Sequence, residues 1–142
     1  MNRAQEVAGE AGGAACGVIG VGVDIASVAE VRQALSDFGE EYLNRLFTSD
    51  ELSRCRQSPD PARQLAGFFA AKEAVVKVLP GDEPRPPWTS IEVRPREEGG
   101  FELRLLGPAA HLAEQHGIGT LAVSLSREGD MATAVVFAMS AK

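Results

Sequence analysis

From Val18 the chain alternates, with Ile19, Val21, Val23 and Ile25 set against Gly20, Gly22 and Asp24. Period-two alternation predicts a strand, with Asp24 at its end. Glycine is a weak strand former, so Gly20 and Gly22 mark a face that another backbone or a ligand approaches closely. The rhythm then turns helical. Ser27 and Glu30 form an S-x-x-E capping box ahead of Val28, Val31, Leu35 and Phe38, and Gly39 is the stop. Glu40 to Phe47 continues as a second helical stretch, and Thr48 with Glu51 caps a third that runs to about Gln57. Asp60 as N-cap and Pro61 at the first helical position open the longest helix, stopped by Pro80 and Gly81. Beyond a loop from Gly81 to Pro87, the segments Trp88 to Arg94 and Phe101 to Leu106 read as a hairpin around Glu97 to Gly100. Pro108 opens a helix that Gly117 closes. Leu121, Val123 and Leu125 alternate in a strand, Arg127 to Asp130 turn, and Met131 to Met139 return. One strand, a block of helices, then strands with one inserted helix make an α+β fold.

The longest helix is the unusual one. Between Leu65 and Leu79 its polar side chains are Lys72, Glu73 and Lys77 alone. At 100° per residue, Leu65, Phe68, Phe69, Val75, Val76 and Leu79 share a broad face, with Ala71, Ala74 and Val78 behind. A helix apolar nearly all round is buried, and charges on it need partners. Glu73 and Lys77 lie one turn apart on a shallow side lined by Ala66 and Ala70. Lys72 points into the apolar stripe, so its ammonium must reach a structural partner, a carboxylate or a carbonyl. A Glu-Lys pair at this spacing is also an ordinary helix-stabilising device, and the pair alone does not separate the two readings.

Composition narrows the function. The chain has 142 residues, 44% of them hydrophobic and 24% charged, as in a soluble single domain. Residues 1–16, rich in Ala, Gly and Glu without apolar period, read as a disordered extension, and 17–142 as one domain. No run has the length of a membrane span, and no secretory signal stands at the N-terminus. Cys16 and Cys55 lack metal or redox spacing, which points to free thiols and a cytoplasmic protein. A net charge of −6 argues against a nucleic-acid binder.

Asp24 on the first strand and Glu73 on the buried helix are the candidate acids. Two carboxylates together with phosphate oxygens and waters suit Mg²⁺, and Lys77 one turn from Glu73 would offset phosphate charge. The strings that carry these residues come in a fixed order. They are Gly20-Val21-Gly22-Val23-Asp24-Ile25, Leu46-Phe47-Thr48 before Glu51-Leu52, and Phe69-Ala70-Ala71-Lys72-Glu73-Ala74-Val75-Val76-Lys77. Ile91-Glu92-Val93, Leu105-Leu106-Gly107 and Val123-Ser124-Leu125-Ser126 follow. Together they resemble the holo-acyl-carrier-protein synthase family, the small 4′-phosphopantetheinyl transferases, over about residues 18 to 139.

The resemblance implies transfer of 4′-phosphopantetheine from coenzyme A to a serine of an apo acyl carrier protein, with Mg²⁺ and release of adenosine 3′,5′-bisphosphate. It places Asp24 and Glu73 at metal-ligand positions. Glu73, or a water it holds, takes the role of base, and Lys77 that of contacting coenzyme A phosphate. It also implies a homotrimer with interfacial active sites, which would account for a helix apolar on every side. Three features depart from the family. The Gly-Thr-Gly-type loop is replaced by Leu79-Pro80-Gly81-Asp82-Glu83, stiffer and more acidic. Arg127 stands where many members carry His, as a phosphate partner of coenzyme A, and Phe68 replaces a basic residue. The first helix and its successor carry Glu30, Asp37, Glu40 and Glu41 against Arg32 and Arg45, whereas the family meets acidic carriers with basic residues. A less acidic carrier, from a specialised biosynthetic pathway, fits that surface. Two other readings stand beside the enzyme: a non-catalytic subunit of the same fold that binds coenzyme A or a carrier protein, and a structural ion-pair cluster of Asp24, Glu73 and Lys77.

Overall fold

The computed structural model describes residues 17–79, 81 and 84–141. The expected N-terminal extension, Cys16, and the residues Pro80, Asp82 and Glu83 of the altered loop lie outside them. The elements run β1 (Val18–Ser27), α1 (Val28–Leu46), α2 (Ser49–Arg56), α3 (Pro61–Val78), a 3-10 turn (Trp88–Ser90), β2 (Ile91–Pro95), β3 (Phe101–Leu105), α4 (Gly107–Gln115), β4 (Ile118–Glu128) and β5 (Met131–Ser140). This is the expected α+β order. β1, β5 and β4 form an antiparallel sheet with β5 in the middle, and β2 and β3 form a separate hairpin.

Three local expectations are corrected. β1 continues to Ser27, so Asp24 sits inside the strand, opposite Ala134 of β5, rather than at its end. Trp88 to Ser90 is a 3-10 turn, and strand pairing begins only at Ile91. The Ser27–Glu30 capping box forms by half. Ser27 Oγ accepts from the Glu30 N–H, but the second acceptor for the helix start comes from the β4–β5 turn. There Asp130 accepts from the Ala29 N–H at 2.9 Å and from Ser27 Oγ at 2.8 Å. The Thr48–Glu51 box forms in full. Gly39 does break the first helix, with φ 66° and ψ −146°, leaving two helical pieces joined by a kink.

α3 is the centre of the molecule, packed against β1, β5, β2, α1 and α2. Ala66, Phe68, Ala70, Ala71, Lys72, Ala74 and Val75 are completely buried. The reading of an all-round buried helix holds, but its explanation changes: this chain's own elements cover the helix, without help from a second copy. Gly22 is what lets it settle. A β-carbon there would overlap the Ala74 carbonyl oxygen and lie 3.1 Å from Val78 Cγ1. The close approach foreseen from the glycines is therefore that of the α3 backbone. β1 turns its other face outward, leaving Val21, Val23 and Ile25 about half exposed beside Phe137 of β5. That face is where this chain leaves apolar sheet uncovered.

Lys72 has the partners its position demanded. Its ammonium donates to Glu51 Oε1 at 2.8 Å and to the carbonyls of Trp88 at 3.0 Å and Ile91 at 2.6 Å, using all its protons. Glu51 Oε1 also accepts from the Thr48 N–H, and its Oε2 from the Val93 N–H at 2.7 Å. Thr48 Oγ1 in turn donates to Glu92 at 2.7 Å. Burial pushes the Glu51 carboxyl up and the Lys72 ammonium down, and each offsets that pressure on the other. α2, α3 and β2 are thus tied through one fully satisfied pair. Cys55 sits inside the same region, and burial pushes its thiol up to about 12, as for an unreactive core cysteine.

Candidate active site

Asp24 and Glu73 meet because Gly22 and Ala74 touch. Each acid lies next to, or two residues from, that contact, close enough for the Asp24 charge to act on Glu73. Lys77, a turn beyond Glu73, reaches back to β1 and donates to Asp24 Oδ1 at 2.9 Å and to the Val23 carbonyl at 2.8 Å. The pair is at the surface, with the Lys77 side chain about half exposed, so the ammonium is free to leave Asp24 for another anion. Partial burial, and then the Asp24 charge, raise the Glu73 carboxyl above the usual range, while Lys77 and Arg85 pull it down. Arg85, which sequence reasoning did not single out, is the further cation whose charge acts on Glu73. Its signal was a lone cation framed by Pro84, Pro86 and Pro87.

Beside the trio is a cleft of about 250 Å³ whose walls include Ile25, Ser27, Glu30, Tyr42 and Phe69. Ile25 follows Asp24 directly and Phe69 lies one turn before Glu73. Among the described residues, no third Asp, Glu, His or Cys joins the two acids as a metal cluster. The donor set is two hard carboxylates, both only partly buried. That fits Mg²⁺, which keeps waters and takes substrate phosphate oxygens in place of further protein ligands. The upward push of the Asp24 charge on the Glu73 carboxyl is also what a dication relieves.

Arg127 is not brought to this trio within one chain. It lies beside α3 at Gly67, where a β-carbon would come 3.3 Å from its Nε, and with Arg63, Phe101 and Leu125 it lines a separate pocket of about 230 Å³. Phe68, at the position of the family's basic residue, is wholly buried and meets Phe101 edge to face at 5.7 Å. On the first helix, Arg32 is paired with Asp60 at 3.4 Å and Glu40 with Arg56 at 3.0 Å. Glu30, Asp37 and Glu41 are exposed without a cationic partner among the described residues. The acidity read from the sequence is therefore carried on the surface.

The family model of the 4′-phosphopantetheinyl transferase superfamily matches residues 20–136. The holo-[acyl-carrier-protein] synthase of Halothermothrix orenii is 37% identical over 117 residues, covering 82% of this chain and 94% of the relative. That of Desulforudis audaxviator is 38% identical over 122 residues, covering 86% and 93%. Among solved structures, the synthase of Neisseria meningitidis superposes with a TM-score of 0.77 at 32% identity, covering 86% of this chain and 98% of its own. A coenzyme A complex of the synthase from Chronobacterium ammoniagenes superposes with a TM-score of 0.73, also at 32% identity, covering 84% and 96%. Motif order, fold and full-length similarity agree, and the chain belongs to the holo-[acyl-carrier-protein] synthases of the 4′-phosphopantetheinyl transferase superfamily.

Proposed function

We propose that this chain transfers 4′-phosphopantetheine from coenzyme A to a serine of an apo acyl carrier protein, in a reaction that needs Mg²⁺. The observation that carries the reading is the grouping of Asp24, Glu73 and Lys77, with the Lys77 ammonium on Asp24 and both charges acting on Glu73. In this reading Asp24 and Glu73 hold the metal, whose chemistry is to bind and neutralise the pyrophosphate oxygens. The Glu73 carboxylate takes the proton of the serine hydroxyl. The serine oxygen bonds to the phosphorus that carries pantetheine, and the bond from that phosphorus to the bridging oxygen breaks. Lys77, released from Asp24, meets the charge gathering on the departing adenosine 3′,5′-bisphosphate.

The acceptor we propose is a carrier protein whose docking helix is less acidic than usual, as in a specialised pathway. Exposed Glu30, Asp37 and Glu41, with Arg32 neutralised by Asp60, would repel a strongly acidic partner. Incubation with coenzyme A, Mg²⁺ and apo carriers of graded acidity, followed by intact mass, tests both statements. Phosphopantetheine should appear first on the less acidic carriers. Equal rates across the series at physiological salt would overturn the acceptor reading. Coenzyme A binding with no transfer to any carrier would favour the non-catalytic subunit.

We further propose that the working form is a homotrimer with active sites at the interfaces. The support is the outer face of the sheet, where Val21, Val23, Ile25 and Phe137 stay between 41% and 57% exposed. In such an assembly Arg127, remote from the trio of its own chain, can serve the phosphate held by a neighbour. Sedimentation equilibrium should return three times the chain mass, and Val23→Lys should dissociate the assembly. A wild-type monomer at micromolar concentration would refute it.

A further inference from the structure

Lys72 is completely buried next to Glu73 in the chain, yet it has no part in the transfer described above. Stability alone is a weak reason to keep it there. Replacing a buried ion pair by apolar side chains of similar volume is often neutral or stabilising. The surroundings suggest what the apolar alternative would lack. Ala66, Ala70, Ala71 and Ala74 of α3 are all completely buried, so small side chains make much of the packing around Lys72. Such packing is non-directional and discriminates poorly between neighbouring rotational settings of a helix. The Gly22 contact with the Ala74 carbonyl fixes how closely α3 lies on β1. Contact at one point resists approach, not rotation.

Lys72 supplies the missing direction. Successive side chains leave a helix about 100° apart, so Lys72 enters the core while Glu73 next to it stays partly exposed. The ammonium bonds to three separate places: Glu51 of α2 at 2.8 Å, the Trp88 carbonyl at 3.0 Å and the Ile91 carbonyl at 2.6 Å. Bonds this short weaken steeply when misaligned, so together they oppose any roll of α3 about its axis. Their acceptors are held in turn. Glu51 is fixed by the Thr48 and Val93 N–H groups, and the 3-10 turn by Ser90, whose Oγ donates to the Pro87 carbonyl at 2.6 Å. Lys72 also supports the cleft wall. The Trp88 ring packs on Phe69 at 5.5 Å, and Phe69 lines the cleft with Ile25 and Tyr42. One buried ammonium therefore steadies the acid that follows it and the aromatic ring three residues before it.

We propose that Lys72 is a positioning residue of the transfer reaction: through Glu51, Trp88 and Ile91 it sets the rotation of α3 and with it the aim of Glu73. This rests on the transferase reading given above. The test separates rate from stability in two variants of the full chain, Glu51→Gln and the double variant Lys72→Met with Glu51→Gln. For each, kcat and the KM for coenzyme A are measured with Mg²⁺ and an apo carrier, at a temperature where circular dichroism shows it folded. Glu51→Gln keeps the lysine and its two carbonyl partners, so it should melt below wild type yet hold kcat within about twofold. The double variant removes both charges and should recover much of the stability lost in Lys72→Met. Its kcat should still fall by about ten- to a hundredfold, with the KM for coenzyme A nearly unchanged. If the double variant does not fold, Lys72→Gln, one atom shorter and still a donor, takes its place, and the same fall in kcat is expected. A rate that follows melting temperature across the variants, or a Lys72 variant as fast as wild type, overturns the positioning role and leaves the transferase standing. A wild type that transfers phosphopantetheine to no carrier overturns both.

Discussion

Lys72→Met is expected to lower the unfolding free energy by about 3–5 kcal/mol, because it strands the Glu51 carboxylate in a fully buried position. For a chain of this size that is a fall in melting temperature of roughly 10 °C. The loss should depend on pH, with a sign fixed by Glu51. Burial already holds this carboxyl above its ordinary value, and without the ammonium the upward pressure is unopposed. A folded-state pKa above the unfolded one means that the folded protein binds the extra proton. Stability of the variant therefore declines as pH rises from the ordinary carboxylate value through the raised one. Lys72→Met should accordingly be less damaged at pH 5 than at pH 8. Glu51→Gln combined with Lys72→Met removes both charges and should recover much of the loss. Thermal unfolding by circular dichroism, at one protein concentration throughout, reads all of these values. A shift under about 3 °C for Lys72→Met at pH 8 would mean that the pair contributes little.

The second large effect is on catalysis. Asp24→Ala and Glu73→Gln should each reduce transfer by about a thousandfold or more while the fold is kept, since neither side chain is part of the core. Their thermal behaviour should separate them from Lys72. Burial and the Asp24 charge raise Glu73, so its ionisation in the folded state works against stability once pH passes the ordinary carboxylate value. Glu73→Gln removes that penalty and should melt slightly above wild type at pH 7 without Mg²⁺, and the gap should close when Mg²⁺ is added. Because the base must be ionised and a bound dication pulls the Glu73 carboxyl back down, the acid limb of the wild-type pH–rate profile should move to lower pH as Mg²⁺ is raised. Near-normal transfer by Glu73→Gln would remove it from the mechanism, and a strongly lowered melting temperature would make its role structural.

Much of this site could be read from the chain before any coordinates, and the reasons differ from residue to residue. The charges on α3 were conspicuous because they interrupt an apolar run. Lys72 was read as needing a carboxylate or a carbonyl, and it takes both. Its specific partner was hidden. Glu51 looks like a capping residue, and it does cap, but the same carboxylate also bonds the Val93 N–H and the ammonium. No local pattern announces a carboxylate that serves three elements at once. The cap of α1 was misread for a related reason. Asp130 comes from a turn about a hundred positions away, and local sequence favoured Glu30. The strand end at Asp24 was placed too early because the run after Ile25 has no alternation, whereas pairing with β5 continues to Ser27. Arg127 and Asp24 shared a motif list but not a place, since a motif carries no information about which of its residues the fold brings together.

The glycine at position 22 has one more consequence. Because the α3 main chain lies directly on β1, the distance between the two acids is set by contact of backbone with backbone, the least deformable kind of contact in the molecule. Changes elsewhere in the core can tilt or loosen many side chains without widening that gap. In the metal site proposed above, ionic radius would then be set by the scaffold. On that proposal, a variant that accepts a bulkier divalent ion would not be reached by exchanging Asp24 or Glu73 alone. It requires lifting the helix, and the first residue to change would be one with no side chain at all.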